Sequence, residues 1–430
     1  MSEGAVQVLL LAITIFLIVY FTARYKVNAF LVLILAALFY GVLSFVMTGT
    51  PPLLDVKEAD KTTPGVITLI TTGFGDTLRS IGIVIVLGVI LGYFLEKSGA
   101  ALVMAKTMLQ LVGKKNAPLA MALTGYVVSI PVFCDSGFVI LQALNRSLAQ
   151  GAGISLAVMA TALSMGLYST HTLVPPTPGP LAAAANLGAD LGLVIILGLV
   201  AAIPAMLSGW LFATRFGSKI WIDPGTTESF DEVLKSFDKL PSPLAAFSPV
   251  VIPLILIAMN SIASFPSNPF GTGTLKTLCV FLGNPNIALL IGVFLVISLT
   301  KWKQEMFDGW ISKAIDSAGL ILVITAAGGS LGAVIRGSGV GDYLGKTLAS
   351  LHMGILLPFI IAAALKIAQG SSTVALITTS AILFPMLPAL GWTTPVQKAL
   401  ITLAIGAGSM VVSHANDSYF WVVSRFSNMS

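Results

Sequence analysis

Ser169-Thr170-His171-Thr172-Leu173-Val174-Pro175-Pro176-Thr177-Pro178-Gly179-Pro180 lies between two long apolar segments, and its reading decides what kind of chain this is. The prolines at 175, 176, 178 and 180 cannot continue a helix, so carbonyls near Leu173 and Val174 are released from the backbone ladder. In hydrocarbon, every freed backbone group must find a partner inside the protein or in a water-filled cavity. An ionisable residue at such a place, here His171, marks a functional site by default. A second polar break, Ser413-His414-Ala415-Asn416-Asp417, occurs far downstream.

Working outward, the composition supports a membrane setting. The chain has 430 residues, of which 56% are hydrophobic and 10% charged, with a mean hydropathy of +0.95. A soluble domain carries about 25% charged residues. Val6–Tyr20, Ala29–Val46, Val66–Leu95, Leu191–Ala213, Ala245–Ala263, Ile287–Leu299 and Ile355–Ala368 are apolar runs that match or approach the length needed to cross a bilayer as helices. The expected fold is an all-α integral membrane protein with roughly eleven to twelve apolar segments, some of them re-entrant. Cys134 and Cys279 sit in separate apolar contexts, which predicts buried free thiols. The formal net charge of +5 is read as topogenic Lys and Arg at the cytoplasmic face. No basic stripe for nucleic acid is visible. The first apolar run lacks a cationic leader and a cleavage site, so it is expected to be a retained span.

The most polar stretch, Arg215 to Pro243, divides the chain into similar halves, 1–214 and 244–430, around an inter-repeat loop at 215–243. Asn28-Ala29-Phe30-Leu31 matches Asn286-Ile287-Ala288-Leu289, and Ser80-Ile81-Gly82 matches Ser317-Ala318-Gly319. Ser98-Gly99 matches Ser338-Gly339, Cys134-Asp135-Ser136-Gly137 faces Gly370-Ser371-Ser372-Thr373, and Thr170-His171 faces Ser413-His414. Five landmarks in the same order point to internal duplication. Arg24 and Lys26 precede the helix that opens near Asn28, whereas Lys301 and Lys303 follow its counterpart. Lys97, Lys106, Lys114 and Lys115 follow the next landmark, whose counterpart leads to the charge-poor Leu351-His352-Met353-Gly354. The positive-inside rule then runs the two halves in opposite directions. Inverted repeats, broken helices and a midplane site between repeats characterise secondary transporters. The second half is expected to lack the helix that follows the first break.

Candidate site residues come from the breaks. Gly370-Ser371-Ser372-Thr373 offers close backbone approach, hydroxyls and a helix N-terminus, which suits an organic anion. The competing reading is an N-cap or a packing face. Asp135, next to Ser136, is the first candidate for proton coupling, because a buried carboxyl can bind and release a proton in the working range. An N-cap of a helix near Gly137 is its alternative. His171 and His414 hold matching positions and can hydrogen-bond a hydroxyl or relay a proton. Thr170, Thr172 and Thr177 could line the first break, and Asn416 adds an amide. Asp417 either carries a proton or caps the helix at Tyr419. Arg146 neutralises a substrate carboxylate or anchors the chain at the interface. His352 is assigned no role. Gly88, Gly92, Gly328, Gly329 and Gly332 suit tight packing. No H-E-x-x-H motif or close ligand pair suggests a metal or an enzyme, so no cofactor is expected.

His171 with Pro175-Pro176-Thr177-Pro178-Gly179-Pro180, Asn186-Leu187-Gly188-Ala189-Asp190, Gly370-Ser371-Ser372-Thr373-Val374-Ala375 and Ser413-His414-Ala415-Asn416-Asp417-Ser418-Tyr419-Phe420-Trp421 together resemble the gluconate permease family over nearly the whole chain. Asp135 and Thr177 depart from the Glu and His that members often carry there. The resemblance implies uptake of gluconate or a related hydroxy-carboxylate by proton symport across the bacterial inner membrane, with sodium coupling as the alternative. It also implies re-entrant hairpins, an elevator movement and a homodimer. The expected substrate-binding residues are Ser136, His171, Thr172, Thr177, Gly370, Ser371, Ser372, Thr373, His414 and Asn416. Those expected to couple protons are Asp135, His171 and Asp417.

Overall fold

The computed structural model describes residues 3–58, 61–113, 116–225, 240–264, 269–300, 306–341, 343, 353–414 and 417–429. Within them the chain is nearly all helical: α1 (Glu3–Arg24), α2 (Ala29–Thr48), α3 (Val66–Lys97), α4 (Ala100–Val112), α5 (Ala117–Val128), α6 (Cys134–Ala152), α7 (Leu156–Leu173), α8 (Pro178–Leu187) and α9 (Leu191–Arg215) come first. They are followed by α10 (Pro243–Ala263), α11 (Thr274–Leu282), α12 (Pro285–Ser298), α13 (Ser312–Gly337), α14 (Leu356–Gln369), α15 (Ser372–Leu383), α16 (Pro395–Ser409) and α17 (Ser418–Phe426). One antiparallel hairpin, β1 (Val56–Glu58) and β2 (Lys61–Thr63), joins α2 to α3.

Among the described residues six helices are long and apolar enough to cross a membrane, or seven if α11 and α12, bent by 64°, form one span. With the shorter apolar helices α4, α5, α14 and α15 they make the mixture of spanning and shorter apolar segments that the sequence suggests. The run at 355–368 forms only α14, which ends at Gly370 with φ +84, and α4, α5 and α15 are also too short to span. Gly113, Ser129 and Gly370 end α4, α5 and α14, and Phe384-Pro385 ends α15, before these helices reach the length of a bilayer core. Phe16, Val46, Phe212 and Phe294 stay exposed on the long helices, as an apolar solvent permits and water does not.

Cα packing divides the chain into two compact units. Each draws on both sequence halves, because the cuts fall inside α3 and α13 and near the first break. The first unit holds Met1–Ile83, Gly179–Asp190 and Gly319–Asn416. Its core includes Leu33, Tyr40, Val334, Ile335, Leu383 and Ile405. Here α3 and α13 cross at backbone contact: a Cβ on Gly73 would stand 2.6 Å from the Gly329 carbonyl oxygen. Beside that crossing, Ser330 Oγ donates to Ile70 O at 2.8 Å. On another face of α13, a Cβ on Gly332 would meet the Ala381 carbonyl of α15 at 3.2 Å. Gly328, Gly329 and Gly332 therefore serve close helix packing.

The second unit holds Val84–Pro178, Leu191–Ala318 and Asp417–Ser430. Its centre is α7, which is buried along almost all its length. A Cβ on Gly125 of α5 would lie 2.6 Å from both Leu163 O and Leu167 N, and one on Gly166 would collide with Ala122 O. Only residues without a side chain let α5 and α7 approach so closely. Both cysteines are buried free thiols.

Asn28 caps α2 by accepting from Phe30 N, and Asn284 caps α12 by accepting from Asn286 N, with backbone angles of φ −56, ψ 131 and φ −57, ψ 129. Asn28 and Asn284 thus cap their helices in the same way, and Asn286 lies inside α12.

Candidate functional site

In the first unit, the candidate site is built around the break between α14 and α15. Gly370 ends α14 in the left-handed region, with φ +84, and Ser371 caps α15 by accepting from Val374 N at 3.3 Å. The first amides of any helix lack partners within it, and its N-terminus carries partial positive charge, so this turn is suited to an anion. Ser371 is the N-cap that orders this turn. The start of α8 lies against the same turn, where a Cβ on Gly179 would stand 3.4 Å from Thr373 Cα and 3.7 Å from Thr373 Oγ1. Pro178 and Pro180 give α8 few amide donors, so α15 supplies most of the donor field.

Lys366 is the residue the sequence reading passed over. It is 0% exposed in the last turn of α14, and its ammonium donates to the Gly370 carbonyl. A buried ion without compensation costs several kcal/mol; here the carbonyl and the negative end of α14 provide it. The available signal was one cation inside the apolar run 355–368. His414 joins the same cluster: its Nε2 lies 2.9 Å from Ile367 O. Since a carbonyl only accepts, Nε2 carries the proton. Gly370, Ser371, Ser372, Thr373, His414 and Lys366 therefore gather around the end of α14.

In the second unit, Asp135 and His171 both sit at helix ends, Asp135 at the start of α6 and His171 in the last turn of α7. α6 begins at Cys134, so Asp135 lies in its first turn and Phe133 takes the cap position; the reading of Asp135 as the N-cap is corrected by one short turn. Ser136 follows, half buried. Phe133 meets the His171 ring at 6.0 Å between centroids. Two glycines four residues apart on α3 receive the loops that present these residues: a Cβ on Gly88 would meet Pro176 O at 3.3 Å, and one on Gly92 would strike Pro131 O.

The break at 174–177 is closed from within. Thr177 Oγ1 lies 2.9 Å from His171 O and 2.7 Å from Val174 O, so its one hydroxyl proton is shared between two carbonyls that the prolines release. Thr172 donates to Tyr168 O at 3.1 Å, and Thr170 is fully buried.

Asp417 caps α17 by accepting from Tyr419 N at 3.0 Å. Tyr419 meets the Tyr168 ring at a tilt, 5.3 Å between centroids, and the Phe138 ring edge-on at 6.4 Å, and donates to Ser164 O at 3.0 Å. It lies within electrostatic reach of Asp135 and Asp417. The Arg146 guanidinium donates to Phe426 O at the end of α17, to Asn428 Oδ1 beyond it and to Pro224 O. Asn416 falls outside the described residues, as do Lys114, Lys115, Lys301, Lys303, His352 and the loop at 226–239.

Long apolar helices, short broken ones and polar clusters at the breaks define a multi-pass membrane transporter. The fold is similar to the crystal structure of the YdaH transporter of Alcanivorax borkumensis, a protein of unusual topology, with a TM-score of 0.65 over 94% of this chain and 91% of that one at 15% identity. Residues 6–430 match the GntP family permease profile. A gluconate permease of Pseudomonas aeruginosa is 32% identical over 100% of this chain and 93% of its own. A D-serine transporter of Escherichia coli is 35% identical over 97% and 90% respectively. The chain belongs to the GntP family of permeases. It is a multi-pass inner-membrane transport protein and not an enzyme.

Proposed function

We propose that the protein imports gluconate or a related small hydroxy-carboxylate by proton symport. The observation that carries the substrate class is buried Lys366 beside the Gly370-Ser371 turn and the N-terminus of α15. A cation, helix amides and hydroxyls form a donor-rich surface that complements a carboxylate carrying hydroxyl groups. Ser372, Thr373 and His414 supply further polar atoms, and Asn416 stays with them as a proposed ligand. The relatives that transport gluconate and D-serine both act on small carboxylates bearing a hydroxyl group, which supports the class.

Asp135 is proposed as the coupling carboxylate, with His171 as a proton relay; Ser136, Thr172 and Thr177 order the surrounding turns. Asp417 has a capping role that competes with proton transfer. The elevator movement, the inverted repeats and the homodimer belong to the same proposal.

The test is uptake of labelled gluconate into proteoliposomes under an imposed gradient. An inward proton gradient is expected to drive accumulation above equilibrium, while a sodium gradient at constant pH leaves it at equilibrium. Accumulation that follows sodium alone would defeat proton coupling, and absence of uptake for gluconate, idonate, glycerate and D-serine would defeat the substrate class.

A further inference from the structure

A cavity of about 480 Å³ opens in the first unit between α3, α8, α13 and α15, away from the turn described above. Ala381, on its wall, lies eight residues beyond Thr373 on α15, about 12 Å along the helix axis. The cavity carries charge within long helices that otherwise qualify as membrane spans. Asp76 and Arg79 of α3 are 3.4 Å apart with highly exposed side chains, and Arg336 enters from α13. Exposed charges on such helices face water, because hydrocarbon opposes each by about 2.5–3.5 kcal/mol on insertion scales.

The polar groups on its wall have complementary capacities. Arg336 stacks over the Phe384 ring at 4.5 Å, which fixes the guanidinium plane, and no described residue accepts a hydrogen bond from it. A planar fork of donors matches a carboxylate. Ser80 Oγ donates to Thr77 O at 3.0 Å, and Asn186 Nδ2 donates to Ser380 Oγ at 2.9 Å. With these donors engaged, the remaining capacity of Ser80 Oγ and Asn186 Oδ1, two residues of the cavity wall, is to accept, which suits ligand hydroxyls. The loose Asp76–Arg79 pair holds little energy at such exposure, so Arg79 can turn toward an arriving anion.

We infer that this cavity is a second, low-affinity site for a hydroxylated monocarboxylate, with Arg336 as its carboxylate anchor. The inference rests on the proposed substrate class. A lipid phosphate shares the affinity for arginine, and the test separates it from a free hydroxy-carboxylate.

The test uses the full chain with both cysteines replaced, Cys134→Ser and Cys279→Ser, and with Ser80→Cys as a reporter for a maleimide. Titration calorimetry with gluconate is run on the same preparation. Gluconate at millimolar concentration is expected to slow labelling at least threefold. The protection is expected to vanish in Arg336→Gln and to persist in Lys366→Gln. If gluconate binds by calorimetry but gives no protection, this inference falls and the function stands; if gluconate binds nowhere, both fall. Protection that survives Arg336→Gln or disappears in Lys366→Gln would overturn a separate site. So would protection by phosphatidylglycerol in place of gluconate, which would make the cavity a lipid headgroup site.

Discussion

At the scale of the residue, Lys366 decides most. A charge-assisted hydrogen bond is worth about 1.5–3 kcal/mol, and each 1.4 kcal/mol is a factor of about ten in affinity. Lys366→Gln is therefore expected to weaken gluconate binding by about ten- to a hundredfold, measured by calorimetry on protein that elutes as a single species. A purely structural lysine would lower the melting temperature and leave the affinity of the folded fraction unchanged. The sequence held the signal for this residue, a lone cation within 355–368, but its burial and its carbonyl partner depend on where α14 ends. Arg146 shows the opposite case. Its partners lie at Phe426, Asn428 and Pro224, and nothing local indicates which carbonyls folding will bring to a guanidinium. Asp417 was legible as a cap because capping is settled by neighbours two residues away.

At the scale of the element, the short helices matter more than the long ones. The ends of α14 and α15 at Gly370 and Ser371, like those of α6 and α7 at Phe133 and Leu173, carry the candidate site residues, and packing through glycine holds them in place. Where α5 crosses α7, a Cβ on Gly166 would meet the Ala122 carbonyl, which is backbone and cannot swing aside. Gly166→Val is expected to destabilise the protein by about 1–3 kcal/mol through overpacking, seen as a lower melting temperature and reduced folded yield. A melting curve identical to the parent's would show that the two helices separate freely. The tendency to break was readable from glycine, proline and serine positions. Which apolar runs stop short of a span was not, because an apolar run shows composition but not where a helix stops.

At the scale of the whole molecule, coupling is the property to measure. Asp135→Asn keeps the size of the side chain and removes its charge change. If Asp135 carries the coupled proton, the variant loses accumulation driven by a pH gradient and retains gluconate exchange across the membrane at equal concentrations. Undiminished accumulation by this variant would remove Asp135 from that role. The sequence by itself determined the solvent, the family and the positions of the breaks, since hydropathy, proline and glycine act through local and additive preferences. The tertiary structure decided which breaks share a compact unit: Gly370–Thr373 with His414 and Lys366 in one, and Asp135 with His171 and Tyr419 in the other. That grouping cuts through α3 and α13 and crosses the sequence halves. Its cause is packing between distant segments, where close approach at Gly73, Gly92 and Gly166 depends on the surface each helix meets.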